Sequence, residues 1–122
     1  PFSSSLTRQS AGALAQTYES STHKPWTQPI GFAHALFEVA VNALSRSRSL
    51  GGGDLRDAVA STSINSVVGP VKWGGAGPMK NVSKTPVVMG QWVKGQQHKV
   101  ALRIVNNAAA PHIPVGGALA LL

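Results

Sequence analysis

The chain has 122 residues, 43% of them hydrophobic and 12% charged, which leaves room for one globular domain at most and excludes a disordered charged tail. Cysteine is absent, which excludes disulfide scaffolds and thiolate–metal sites. The formal net charge is +7, and no acidic residue follows Asp57, so the second half of the chain can attract a polyanion.

The cations that follow Asp57 define the first of two functional interpretations. They are spaced singly, without the runs or the aromatic–basic alternation that nucleic-acid-binding segments carry. Nucleic acid is therefore a weak expectation, and a small basic module that contacts a polyanion, either nucleic acid or a heparin-like chain, is kept as the alternative function. These cations are Lys72, Lys80, Lys84, Lys94, Lys99 and Arg103.

Apolar spacing predicts three helices in the first half of the chain. The first runs from about Gln9 to residues 20–22. The second runs from Pro29, which suits a first helical turn, to Leu44. The third follows the glycines at 51–53, with Asp54 as its predicted cap. The second helix has a wide apolar stripe, which predicts that it is largely buried. The stripe consists of Ile30, Ala33, Leu36, Phe37, Ala40, Val41 and Leu44.

The second half of the chain predicts strands. Residues 67–73 read as a strand interrupted at Gly69 and Pro70, and residues 87–94 and 99–105 form a predicted β-hairpin. The tail beyond residue 107 is rich in Ala, Pro and Gly, and is expected to wrap a surface or fray. A sheet of two or three strands covers little of the apolar stripe on the second helix. We therefore expect another stretch of polypeptide to supply partner strands.

Several segments of this chain carry a family resemblance. One opens the second helix as Thr27-Gln-Pro-Ile-Gly-Phe-Ala-His34, and others read Gly69-Pro-Val-Lys-Trp73 and Gln91-Trp-Val93. With the Leu-Arg-Asp-Ala-Val run at 55–59, they resemble the C-terminal part of type I periplasmic substrate-binding proteins of ABC importers, in the branched-chain amino acid-binding branch. One departure is His23, which stands where the family has a glycine in a Thr-Gly-Lys-like turn.

The resemblance implies an α/β fold, namely the C-terminal portion of a two-lobed type I clamshell. That portion has three helices followed by a β-hairpin that crosses between lobes, and it is incomplete on its own. Three parts are expected: residues 1–66 as the helical part of one lobe, 67–107 as the crossing strands and hairpin, and 108–122 as an extended tail. The implied function is capture of a small amino-acid-like or carboxylate ligand between the lobes, with hinge closure.

Ligand contacts are expected at the start of the second helix, where the resemblance places the cleft. The matching residues are Gly31, Phe32 and His34, and a helix N-terminus also offers backbone N–H groups to an anion. Phe32 can equally be a core aromatic. His34 and Glu38 share one helical face, but they lack a third ligand, so a surface pair or cleft-lining groups are favoured over a metal or catalytic site.

The remaining expectations concern chemistry and partners. No credible set of nucleophile, base and orienting group is found in the sequence, so we expect a non-enzymatic protein with no cofactor and no metal. The expected partners are the small ligand, the remaining N-terminal part of the binding protein and an ABC permease in the membrane. An isolated chain is expected to form a homodimer through its exposed apolar stripe. The expected location is periplasmic or secreted.

Overall fold

The structure is a computed structural model that describes residues 2–74, 77–96 and 98–121. Within them the chain is a small α/β protein with three helices and two antiparallel two-stranded sheets. The helices are α1 (Ala11–Thr22), α2 (Gln28–Arg46) and α3 (Gly52–Ala60), and the strands are β1 (Ser63–Ser66), β2 (Gly69–Lys72), β3 (Met89–Lys94) and β4 (Val100–Asn106).

The chain divides into two units by its internal contacts. Unit 1 is Pro1–Thr85 and contains the three helices and the β1–β2 hairpin, while unit 2 is Pro86–Leu122 and contains the β3–β4 hairpin and the tail. The predicted boundaries after residues 66 and 107 stay predictions, because this division rests on contacts alone. The glycine- and proline-rich stretch at 74–78 predicts a loop, and its residues 75 and 76 lie outside the described residues.

Helix α1 begins and ends through local hydrogen bonds. The Ser10 hydroxyl accepts a hydrogen bond from the Ala13 N–H at 3.1 Å, which caps the first turn. At the other end, His23 adopts φ 56° and ψ 25°, and its N–H donates to the Glu19 carbonyl at 2.9 Å. This left-handed conformation is the one that glycine adopts at least cost.

Helix α2 confirms the predicted element but not its predicted burial. Its buried residues are Ala35, Glu38 and Ala43, which form a narrow face of mostly small side chains. The apolar stripe lies on the other side of the helix, and Leu36 and Phe37 are 71% and 69% exposed. The prediction that α2 is largely buried is therefore wrong for this chain, because its own elements pack on the small-residue face.

Helix α3 is fastened to the end of α2 by Arg46. The Arg46 guanidinium donates to the Ala58 carbonyl at 2.5 Å and to the Ser61 hydroxyl at 2.9 Å, both at the C-terminal end of α3. The N-cap of α3 is Gly51, without a side-chain hydrogen bond, so the predicted capping role of Asp54 is wrong. Asp54 lies in the first turn instead, where a carboxylate stabilises the helix through its interaction with the helix dipole.

Strands β1 and β2 form a hairpin whose turn is Val67 and Val68. The prediction of a strand over 67–73 is wrong at its first two residues, because the chain reverses at these valines, and β2 begins at Gly69. Ser66 closes the turn: its hydroxyl donates to the Gly69 carbonyl at 2.8 Å and accepts from the Val68 N–H at 3.2 Å. Gly69 has φ 102°, which requires glycine at this turn.

Unit 2 confirms the predicted β3–β4 hairpin, in which Trp92 pairs with Leu102 and Gln91 with Arg103. The predicted turn includes Gln97, which lies outside the described residues. The tail wraps one face of the hairpin, and the Gly116 N–H donates to the Ile104 carbonyl at 2.9 Å. Of the two expectations for the tail, wrapping is the one that the described residues support.

Candidate functional site

The centre of unit 1 is the fully buried carboxylate of Glu38 on α2. Its Oε1 accepts hydrogen bonds from the Ser5 N–H at 2.5 Å and the Ser5 hydroxyl at 2.8 Å. Its Oε2 accepts a hydrogen bond from the Val67 N–H at 2.9 Å. We call Ser5, Glu38 and Val67 the Glu38 clamp, because this one side chain ties the N-terminal segment and the β1–β2 turn to α2.

The N-terminal segment presents Ser5 to the clamp because it folds into a tight turn. The Ser4 N–H donates to the Gln9 carbonyl at 2.8 Å, and the Arg8 N–H donates to the Ser4 carbonyl at 3.0 Å. Arg8 has φ 63°, a left-handed conformation that lets the chain reverse before α1. Ser5 therefore lies at the tip of a turn whose own backbone is hydrogen-bonded.

His34 lies one helical turn before Glu38 and binds the neighbouring serine. The distance between its Nε2 and the Ser4 hydroxyl oxygen is 2.7 Å. That oxygen also accepts from the N–H groups of Leu6 and Thr7, at 3.2 and 3.1 Å, so its proton is free for donation to His34. This network assigns the tautomer in which Nε2 of His34 is the acceptor.

A serine hydrogen-bonded to a histidine can act as a nucleophile with its general base. Here the hydrogen bond joins the N-terminal segment to α2. Ser4 is 2% exposed, so a substrate cannot reach its hydroxyl in this arrangement. The nearby carboxylate of Glu38 is committed to Ser5 and Val67. Among the described residues, no three His, Asp or Glu side chains are grouped so that they could hold a metal ion.

The structure does not bring the three predicted ligand-binding residues into one cluster. Gly31 faces the β1–β2 turn, and a Cβ at this position would lie 3.2 Å from Cγ1 of Val68. His34 lies on the same packed side, bound to Ser4. Phe32 projects from a different flank of α2 and is 40% exposed. Phe32 is thus the one whose side chain is open to a ligand within unit 1.

The N-terminal end of α2 carries no capping side chain, since Thr27 makes no such hydrogen bond. The Thr27 carbonyl accepts a hydrogen bond from the Ile30 N–H at 3.1 Å. Trp26, which precedes it, is held by its backbone, because its N–H donates to Oε1 of Glu19 at 3.0 Å. The open groups at this end are therefore the Trp26 and Phe32 rings and the Gln28 N–H, because Pro29 has no N–H and Ile30 donates to Thr27.

A concavity of about 170 Å³ lies between the end of α2 and one side of α3. Its charged groups are balanced, with two arginines and two aspartates among its lining residues, and Arg48 pairs with Asp54 at 3.5 Å. A cavity so balanced has no preference for an anion or a cation. The lining residues are Arg46, Ser47, Arg48, Asp54, Asp57, Ala58 and Ser61.

Sequence reasoning missed the Glu38 clamp. It identified His34 and Glu38 as neighbours on one helical face, but each binds its own serine in a segment about thirty residues away. The only signal in the sequence is the polar run at residues 3–5, which is typical of a turn or a helix start but indicates no partner on α2.

In the described part of the chain, no helix is both long and apolar enough to cross a membrane. No protein-family model, no curated protein and no solved structure matches the chain.

Proposed function

We propose that this chain is the C-terminal part of a type I periplasmic substrate-binding protein of an ABC importer. It would capture a small amino-acid-like or carboxylate ligand between two lobes. The observation that carries the proposal is the exposed stripe of α2, which we call the α2 apolar face. A helix packed on one side and apolar on the other belongs between two layers of structure, and here one layer is supplied by the chain itself. The α2 apolar face is the stripe of Ile30, which is half-buried, and Ala33, Leu36, Phe37, Ala40, Val41 and Leu44, which are exposed.

The backbone at His23 is a second observation in favour. The family resemblance implies glycine at this position, and residue 23 adopts the left-handed conformation that glycine favours. The left-handed angle at residue 23 is compatible with the glycine that the resemblance implies there. The local geometry at His23 therefore supports the proposal at a position where the sequence departs from the family.

The proposed ligand site is the N-terminal end of α2, with Gly31, Phe32 and His34 as its residues. Phe32 would form part of the cleft wall through its exposed ring. Gly31 and His34 would hold the first turns of α2 in place through Val68 and Ser4, so that the Gln28 N–H faces a carboxylate. Closure of the lobes would then present the loaded protein to a permease, in the periplasm or outside the cell.

The test is to determine the full open reading frame that encodes this chain and to produce the complete protein that it specifies. We expect upstream sequence that supplies the rest of the clamshell, and a rise in melting temperature with a branched-chain amino acid or a related carboxylate. A ligand at a hundred times its Kd adds about 2.7 kcal/mol to the unfolding free energy, which a thermal shift resolves.

Two variants of the full product make the test specific to the site. Phe32→Ala should reduce the ligand-induced shift, whereas Leu50→Ala, at an exposed position away from the start of α2, should leave it unchanged. A parent frame without upstream sequence, or a full product that no small carboxylate stabilises, would overturn the proposal.

The alternative function is polyanion binding by a small basic module, and one observation favours it. Unit 2 carries Lys94, Lys99 and Arg103 and no acidic residue. This alternative predicts that the chain alone binds heparin or DNA with an affinity that falls steeply as salt rises. The transporter proposal predicts no such binding at physiological ionic strength.

A further inference from the structure

The β3–β4 hairpin has two faces, and the tail covers one of them. On the covered face, the Gln91 side chain donates to the Ala120 carbonyl at 2.5 Å and accepts from the Ala120 N–H at 3.1 Å. Successive side chains of a strand point to opposite faces, so Trp92, which follows Gln91, lies on the other face with its partner Leu102. We call this other face the Trp92 face, and its residues are Trp92, Lys94, Val100 and Leu102.

The Trp92 face is apolar over most of its extent and open to solvent. Trp92 is 60% exposed and Val100 is 51% exposed. Leu102 is half-buried, and its side chain lies over the backbone of Gly90, where an added Cβ would be 2.7 Å from the Leu102 Cγ. Leu102 therefore stays close to the hairpin backbone, and the Trp92 ring is available for contact with a partner.

The charged side chains around this face are all positive. Lys94 ends β3 on the same face as Trp92, and Lys99 stands just before β4, at the same end of the hairpin. Both lysines are exposed. Unit 2 contains no Asp or Glu, so none of its side chains repels an anionic partner. The partner that fits is therefore anionic and also offers an apolar region to Trp92 and Val100.

Three classes of anionic partner differ in how much of this face they can use. A heparin-like chain would pair with the lysines but leave Trp92 and Val100 in water. A single-stranded nucleic acid stacks successive bases on aromatic rings, whereas Trp92 is the one Phe, Tyr or Trp residue of unit 2. An anionic lipid bilayer uses the whole face, because indole and aliphatic groups enter its apolar boundary while lysines reach the phosphates.

We propose that the Trp92 face binds the surface of an anionic lipid bilayer. Trp92 and Val100 enter the boundary between the headgroups and the acyl chains, and the amines of Lys94 and Lys99 contact lipid phosphates. The hairpin lies on the membrane and does not cross it. The contact uses residues of unit 2 alone and does not depend on the transporter assignment.

The first test compares two vesicle compositions and leaves the protein unchanged. The full chain is sedimented with vesicles of phosphatidylcholine alone, or of phosphatidylcholine and phosphatidylglycerol in equal parts. We expect the affinity for the anionic vesicles to be higher by about tenfold or more, because two lysines contact the anionic headgroups. Equal affinity for the two compositions, or no binding to either, would overturn the proposal.

The second test locates the binding surface with matched variants. Trp92→Ala should weaken binding to the anionic vesicles by about tenfold, because the indole is the largest apolar group on the face. Leu119→Ala, at an exposed position of the tail, should bind like the original chain. Lys94→Gln should weaken binding by about fivefold, whereas Lys24→Gln, which removes the same charge at an exposed position of unit 1, should not.

Circular dichroism shows whether each variant folds, and if Trp92→Ala does not, the vesicle comparison and Lys94→Gln decide the question. Equal losses for Trp92→Ala and Leu119→Ala would mean that any exposed apolar side chain serves, and the Trp92 face would lose its assignment. A single-stranded oligonucleotide that binds through Trp92, in a chain that does not bind vesicles, would assign the face to nucleic acid instead and overturn the proposal.

Discussion

At the scale of single residues, Glu38 is the side chain that joins the N-terminal segment and the β1–β2 turn to α2. Glu38→Gln keeps its size, but an amide nitrogen must then face one of the three donors of the Glu38 clamp, and that donor loses its acceptor. A buried donor without a partner costs about 1–3 kcal/mol. We therefore expect the unfolding free energy in urea to fall by that amount, and to fall further for Glu38→Ala, which also leaves a cavity.

The matched control for this prediction is Asp57→Asn. It removes the same charge at an exposed site, where Asp57 pairs with the more exposed Arg56 at 2.8 Å. Exposed pairs contribute about 0–1 kcal/mol, so this variant should remain close to the original chain. Equal losses for Glu38→Gln and Asp57→Asn would show that the clamp contributes no more than a surface charge.

His23 supports a prediction of the opposite sign. A non-glycine residue in the left-handed region is strained by about 1 kcal/mol, and His23 has φ 56°. His23→Gly should therefore raise the unfolding free energy by about 0.5–1 kcal/mol, measured as a higher urea midpoint. Ser21→Gly, inside the last turn of α1, should lower it by about the same amount because glycine disfavours a helix. A loss for His23→Gly would contradict the strain argument.

At the scale of elements, the two sides of α2 should respond differently to the same kind of substitution. A double variant, Leu36→Gln with Phe37→Gln, changes side chains that are exposed in this chain. Its unfolding free energy should stay within about 0.5 kcal/mol of the original, while self-association at high concentration should decrease. Sedimentation velocity over a concentration series measures the second effect.

The control lies next to this pair on the packed side. Ala35→Gln forces a larger, polar side chain into a buried position and should cost about 1–3 kcal/mol. If the double variant lost as much stability as Ala35→Gln, the α2 apolar face would have to be covered within the chain. The proposed need for a second layer would then have no support.

At the scale of the whole molecule, the elements that the sequence predicted are those with strong periodicity. Helix α2 and the β3–β4 hairpin were predicted to within about two residues, because apolar residues recur at 3.6 or 2 positions along them. Strand β1 was missed because Ile64 is its one apolar residue, and its partner β2 begins with Gly69 and Pro70. Pairing across the turn, and not the strand's own composition, determines that hairpin.

The candidate site was less predictable than the fold because its contacts are distant in sequence. Nothing near Glu38 in the chain indicates that Ser5 and Val67 are its partners, about thirty residues away on either side. The burial of α2 was predicted wrongly for a related reason. Periodicity identifies which face is apolar, but it does not reveal whether the structure that covers that face belongs to the same chain.

The two units should also differ in local stability. Unit 2 spans Pro86–Leu122, and Ala110 is the hydrophobic residue that is fully buried among its described positions. Chains of fewer than about 40 residues rarely fold without a disulfide, a metal or a partner, so the β3–β4 hydrogen bonds should open at little cost. In α2, the turns beside the Glu38 clamp should open only when unit 1 unfolds.

Amide exchange measured by NMR should therefore be on the order of 100-fold faster in β3 and β4 than in α2 around Glu38. Equal protection in both would mean that the hairpin draws stability from contacts outside its own unit, and the chain would then unfold as one cooperative body.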